Sequence, residues 1–232
     1  MEKSVNQIAK PDFSFSDLIN SLSQVLKNKY FYIALATLAA GLFINILSQV
    51  YLYNNFNKGA IYPEMSDLIL DKVPVIDVSI IYDLLVIVVF FVVMIYVIQR
   101  KEYGRIPYFL LLSGIFYIIR GIFVVLTPLG NPPGFNGSDP LFNGFCAYEF
   151  GVYPSGHVGN TFLLLLLVND KIYRYIMWFC MAGIIFALIL SHCHYSIDIF
   201  SGFLFAFAIK AFGDRYLNMF ILKDQEPVAD KS

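Results

Sequence analysis

Six long apolar runs dominate the chain, and each has to leave water. They cover residues 30–53, 79–98, 106–127, 156–168, 172–190 and 197–222. A bilayer core about 30 Å thick needs about 20 mostly apolar residues per helix. Backbone groups in hydrocarbon must satisfy their own hydrogen bonds, which leaves helices or closed barrels. Barrel strands alternate over about 10 residues, and these runs do not. The sequence therefore predicts an all-α integral membrane protein with six transmembrane helices. The fourth run is short, so it draws in residues before Gly156 or starts below the interface.

Lys and Arg between the runs set the expected orientation, because they are retained on the cytoplasmic side during insertion. Lys3, Lys10, Lys27 and Lys29 precede the first run; Arg100, Lys101 and Arg105 follow the second; Lys171 and Arg174 follow the fourth; Lys210, Arg215, Lys223 and Lys231 lie near the end. Segments 128–155 and 191–196 contain neither, and the first loop has only Lys58 and Lys72. Both termini are expected in the cytoplasm. The organisation that follows is a cytoplasmic segment 1–29, a six-span catalytic domain 30–222 and a cytoplasmic tail 223–232. Phe15, Leu18, Ile19, Leu22, Val25 and Leu26 recur at helical spacing, predicting an amphipathic helix on the cytoplasmic interface, with Ser14 and Asp17 as a capping pair. No cleavable signal peptide is expected, since the first apolar run begins only at Tyr30. No internal repeat of the transporter kind is visible. Asn45, inside the first run, reads as a tie to a neighbouring helix.

Sixteen Lys plus Arg against seventeen Asp plus Glu leave a net charge of −1, with no basic excess to hold nucleic acid. Three Cys do not build a disulfide scaffold. Cys146 and Cys193 share the outer side and are a possible disulfide pair, and Cys180 reads as packing.

The chemistry concentrates at the outer ends of the spans. All three His lie there, in Tyr153-Pro154-Ser155-Gly156-His157 and in His192-Cys193-His194-Tyr195-Ser196-Ile197-Asp198. His194 and Asp198 are four apart and share a helix face, so the carboxylate can orient the imidazole. The other ring nitrogen is then presented as nucleophile or base. A buried His satisfied by a nearby Asp is the plainer alternative, but ionisable groups in or beside a membrane are costly and mark function by default. Ser155 is a good N-cap, Gly156 admits a ligand to the backbone, and the following turn offers free N–H groups to an anion. His157 in that turn can protonate a leaving alkoxide while His194 attacks phosphorus, a route that needs no metal. His192, two residues from His194, is expected to line the loop and to be dispensable.

Together these motifs resemble the type 2 phosphatidic acid phosphatase (PAP2) superfamily, and His-x-His-Tyr-Ser-x-Asp resembles its sphingomyelin synthase branch more particularly. Segment 63–71 resembles the first conserved segment of that branch, and Arg120 to Thr127-Pro128 resembles its Arg segment. The resemblance implies a helical bundle in which His157 is general acid, His194 nucleophile and Asp198 its activator. Ser155, Gly156, Arg120 and Tyr195 are the substrate-binding candidates; Arg120 either binds phosphate or pairs with a buried carboxylate. The implied activity moves a phosphoryl-containing head group from a phospholipid donor to ceramide or diacylglycerol, on the extracytoplasmic side and without a cofactor. Hydrolysis by a lipid phosphate phosphatase is the second reading, and a lipid or solute transporter is the reading from another class. The phosphatase branch carries Ser-Arg where this chain has Ala187-Leu188, and its Lys-x6-Arg-Pro motif is absent. The synthase branch carries Asp where Cys193 stands, which predicts a site short of one carboxylate. A metal bound by His157, His194 and Asp198 is a further alternative. In the outer loop Phe135, Phe142, Phe145, Tyr148, Phe150 and Tyr153 form either an interfacial belt or a cage for a quaternary ammonium group, with Asp139 and Glu149 nearby.

Overall fold

The computed structural model describes residues 15–135 and 150–222. The described residues are helical with short connecting segments: α1 Phe15–Lys27, α2 Lys29–Asn57, α3 Ser79–Gln99, α4 Ile106–Leu126, α5 Gly156–Leu167, α6 Lys171–Leu190 and α7 Ser196–Tyr216. Among the described residues five helices are long and apolar enough to cross a membrane, and α5 is a shorter apolar helix. The chain is an all-helical membrane bundle.

Local chemistry accounts for the helix starts. Asn28 caps α2 by accepting from the Tyr30 N–H at 2.9 Å, and Asp170 caps α6 through the Ile172 N–H at 2.9 Å. Pro107 occupies the first turn of α4, where its missing N–H costs nothing. α7 stops at Tyr216, short of the expected 222. Beyond it Asn218 donates to the Asp214 carbonyl and the Leu222 N–H to the Gly104 carbonyl, so the chain turns across the bundle end.

Small residues let the helices close on each other, as membrane packing requires. A Cβ on Gly114 would lie 2.6 Å from the Leu38 nitrogen, so the α2–α4 seam depends on that glycine. Most side chains on the outer surfaces, such as Phe90, Phe91, Phe179 and Phe207, are apolar and exposed. α1 turns Val25, Leu18 and Leu22 to the core and leaves Phe15, Ile19 and Leu26 exposed. Ser14 lies outside the described residues, while Asp17 pairs with Lys101 at 3.8 Å. At that end of the bundle Arg100 pairs with Asp170 and Arg105 with Glu102. Both histidine motifs lie at the opposite end.

Candidate active site

The two histidine motifs are 35 or more residues apart in the chain and meet through one helix seam. α5 packs on α7, where a Cβ on Gly202 would lie 3.1 Å from the Gly159 nitrogen and 3.2 Å from the Ser155 carbonyl oxygen. The Ser155 N–H donates to the Asp198 carbonyl at 3.1 Å, which ties one motif to the other through the backbone. The rings of His157 and His194 then meet edge-on, with centroids 6.0 Å apart and planes inclined at 67°.

Asp198 is placed by the start of its own helix. It is fully buried, and its Oδ2 accepts from the Tyr195 N–H at 2.9 Å, a reach back to the helix entry. The same oxygen lies 3.3 Å from His194 Nδ1. With Nδ1 turned to the carboxylate, the lone pair of His194 is directed through Nε2. Burial pushes the His194 pKa below its ordinary value and outweighs the opposing pull of Asp198; His157 and Arg120 add to the lowering. The neutral, nucleophilic ring is the favoured form.

His157 opens α5 behind the Ser155 cap, whose Oγ accepts from the Val158 N–H at 3.3 Å. Its Nε2 lies 3.5 Å from Asp83 Oδ1 on α3, and the Tyr82 ring packs edge-on at 5.0 Å. The Tyr82 hydroxyl accepts from Cys193 Sγ at 3.2 Å. The expectation that Cys193 leaves the site one carboxylate short is therefore corrected: α3 brings Asp83 into it.

Residues 153–213 match the family model described as PAP2 superfamily C-terminal. The matched stretch contains both histidine motifs. It supports the PAP2 superfamily and a lipid enzyme of the phosphatase or phosphotransferase type. No curated protein matches the chain.

The remaining candidates surround this matched stretch in distinct ways. Arg120 is buried in α4, and its guanidinium donates to the Pro154 carbonyl at 2.9 Å, the Gly151 carbonyl at 3.0 Å and the Asn45 side chain. It thus holds the segment entering α5, and Asn45 ties α2 to α4 as its position suggested. A Cβ on Gly156 would lie 3.1 Å from Arg120 Nε, so the cation sits against the first turn of α5. Tyr195 is 1% exposed; its hydroxyl donates to the Gly130 carbonyl at 3.2 Å and accepts from the Met65 N–H at 3.1 Å. Next to it, Ser196 donates through N–H and Oγ to Asp67, both at 2.6 Å. Burial raises the Asp67 carboxyl, but those bonds and the N–H groups of Ile69 and Leu70 outweigh it and leave the group below the usual carboxylate range.

His192 lies in the loop after α6, where its spacing from His194 placed it. α6 ends at Leu190, and His192 takes φ 51° in a helix-ending turn closed by its N–H to the Ile189 carbonyl and the Cys193 N–H to the Leu188 carbonyl. Its ring is buried, with Nδ1 2.8 Å from the Pro133 carbonyl and Nε2 3.1 Å from the Val73 carbonyl. It joins two outer segments.

Phe150 packs at 4.6 Å on Phe56 and 5.3 Å on Tyr62, filling the space between them, and Tyr153 packs on Phe123. Phe142, Phe145, Tyr148, Asp139, Glu149 and Cys146 lie outside the described residues, so the Cys146–Cys193 pairing does too. Among the described residues no group of three or more His, Cys, Asp or Glu is arranged to hold a metal ion.

Two participants escaped the sequence reading. Asp83 carried a signal, being a carboxylate inside the most hydropathic of the spans. Asp67 lay inside a segment noted only for its resemblance.

Proposed function

We propose that the chain transfers a phosphoryl-containing head group between lipids, in the manner of a sphingomyelin synthase, through a covalent intermediate on His194. The observation that carries this reading is the adjacent pair of imidazoles, one of which has a fully buried carboxylate on its Nδ1. His194 Nε2 attacks phosphorus as the donor's alkoxide leaves, and His157 protonates that oxygen. The acceptor hydroxyl then attacks the phosphohistidine and gives its proton to His157. The N–H groups at the start of α5, with Arg120 behind them, supply positive potential for the phosphoryl oxygens. His194 is only 5% exposed, and exclusion of water favours a lipid alcohol over hydrolysis as the second step.

Because Lys and Arg gather at the end opposite the histidines, the site faces the extracytoplasmic or lumenal side and both termini the cytoplasm. A Cys-free variant carrying Lys58→Cys should react with an impermeant thiol reagent only from the histidine side. Labelling only from the cytoplasmic face would overturn the orientation. The activity is tested by giving purified protein labelled phospholipids with and without ceramide or diacylglycerol. Transfer to the added alcohol is the expected result; release of free phosphate or head group alone would make the enzyme a phosphatase, and no turnover of any donor would refute the reading.

A further inference from the structure

His157 has two ring nitrogens, and α3 occupies the side of one of them. Asp83 is fully buried, and its Oδ1 stands 3.5 Å from His157 Nε2. A carboxylate inside an apolar span is retained at a cost in desolvation, which marks it for a role. Tyr82 beside it touches both motifs at once, packing on the His157 ring and accepting from Cys193 next to His194. These contacts come from a helix outside residues 153–213 and from two successive residues.

We propose that Asp83 is the positioning residue of the proton donor, which it holds with Nε2 toward the carboxylate and Nδ1 toward the substrate; this rests on the head-group transfer reading above. In the first half-reaction the His194 Nε2–P bond forms and the P–O bond to the leaving alcohol breaks. The Nδ1 proton of the His157 imidazolium passes to the leaving oxygen, and the Nε2 proton stays directed at Asp83. In the second half-reaction the acceptor oxygen bonds to phosphorus, the N–P bond breaks, and the acceptor's proton returns to Nδ1. Asp83 takes up no proton in either half-reaction. It acts through the ring, as an Asp behind a catalytic His does in other enzymes, but on the acid rather than on the nucleophile.

A defect in proton donation is felt only by leaving groups that need a proton. The test therefore compares, in full-length protein in lipid nanodiscs, a labelled phosphatidylcholine, which releases an alkoxide, with p-nitrophenyl phosphocholine, which releases a stable phenolate. Asp83→Asn should lower kcat on the phospholipid by about 100-fold, with KM little changed, and lower turnover of the aryl ester by less than about fivefold. Asp83→Glu should recover the phospholipid rate to within about tenfold of wild type. His157→Ala should show the same leaving-group dependence, and His194→Ala should lose both substrates. Equal loss of both substrates in Asp83→Asn and Asp83→Glu, or an unchanged phospholipid rate in Asp83→Asn, would overturn the assignment while leaving the transfer reading intact. Failure of the wild type on both substrates would instead refute the transfer reading and the assignment with it. If Asp83→Asn does not yield folded protein, Asp83→Glu and the His157→Ala comparison decide the question.

Discussion

Removing the Asp67 carboxylate should loosen the start of α7, and the structure sets the size of the effect. Asp67 accepts from the N–H and Oγ of Ser196 at 2.6 Å each, and from Ile69 and Leu70 at 2.9 and 3.2 Å. Hydrogen bonds to a charged group are worth about 1.5–3 kcal/mol each. Ile69 is exposed, so water replaces its bond in Asp67→Ala at little cost, whereas the Leu70 bond is buried and is lost together with the two to Ser196. The two bonds to Ser196 are partly reached by water, and halving the sum of the three leaves about 2–4.5 kcal/mol. At about 2–4 °C per kcal/mol the midpoint should fall by roughly 5–18 °C. Thermal unfolding in detergent followed by circular dichroism measures this. The pH dependence adds a signature. Because the folded carboxyl lies below its usual range, its stabilisation is complete above the unfolded value near ~3.9 and is lost as pH falls through the folded value. The gap between wild type and Asp67→Ala should be constant from neutral pH down to about 4 and close below that. A gap under about 0.5 kcal/mol, or one that persists undiminished under strong acid, would refute the reasoning.

His157→Ala, His194→Ala and Asp198→Asn should each remove nearly all lipid turnover, and double variants should be little worse than single ones, as residues of one mechanism behave; additive losses in a kinetic comparison would contradict a shared step. Since burial lowers the His194 pKa, the neutral nucleophile persists below its ordinary value of about 6.5, so the acid limb of kcat/KM should lie under that pH. A limb at or above it in a pH–rate profile would count against His194 as described. His192→Ala should destabilise the fold by about 2–4 kcal/mol, because two carbonyls lose their ring partner. The same variant should retain the chemical step when assayed cold, and loss of turnover in a fully folded protein would move His192 into the mechanism. Turnover should survive chelators, with a phospho-head-group adduct on His194 recovered by acid-free quenching and mass spectrometry; loss restored by one divalent metal would replace the covalent route.

Much of the architecture was readable because hydropathy over about 20 residues needs no knowledge of the partner helix. The starts of α3, α4 and α5 fall where the apolar runs begin. The end of α7 was not readable, since the turn after Tyr216 depends on a hydrogen bond to Gly104, more than a hundred residues away. The His194–Asp198 relation was local, a four-residue spacing on a helix, and so was visible in the sequence. The His157–Asp83 relation spans 74 positions and follows no spacing rule, so only the oddity of an acid in an apolar run pointed to it. His192 was legible as a loop residue, but its ring partners, the Pro133 and Val73 carbonyls, are distant in the chain and follow no spacing rule. The left-handed turn that ends α6 there has no glycine to announce it.

The brevity of α5 bears on how the protein is made. Twelve residues rise about 18 Å, well short of the hydrocarbon core, so this helix cannot cross it alone and irregular backbone must complete the passage. The polar groups at its ends are met by other parts of the chain: Arg105 takes the Leu167 carbonyl, the Tyr96 hydroxyl takes the Asn169 N–H, and the Asp198 carbonyl takes the Ser155 N–H. Irregular backbone at membrane depth is tolerated only where protein surrounds it. The first two partners have already been synthesised when α5 emerges from the ribosome, whereas the third arrives with α7. The N-terminal end of α5, which carries His157, therefore waits for α7, and a nascent chain holds no assembled pair of histidines until that span is in place.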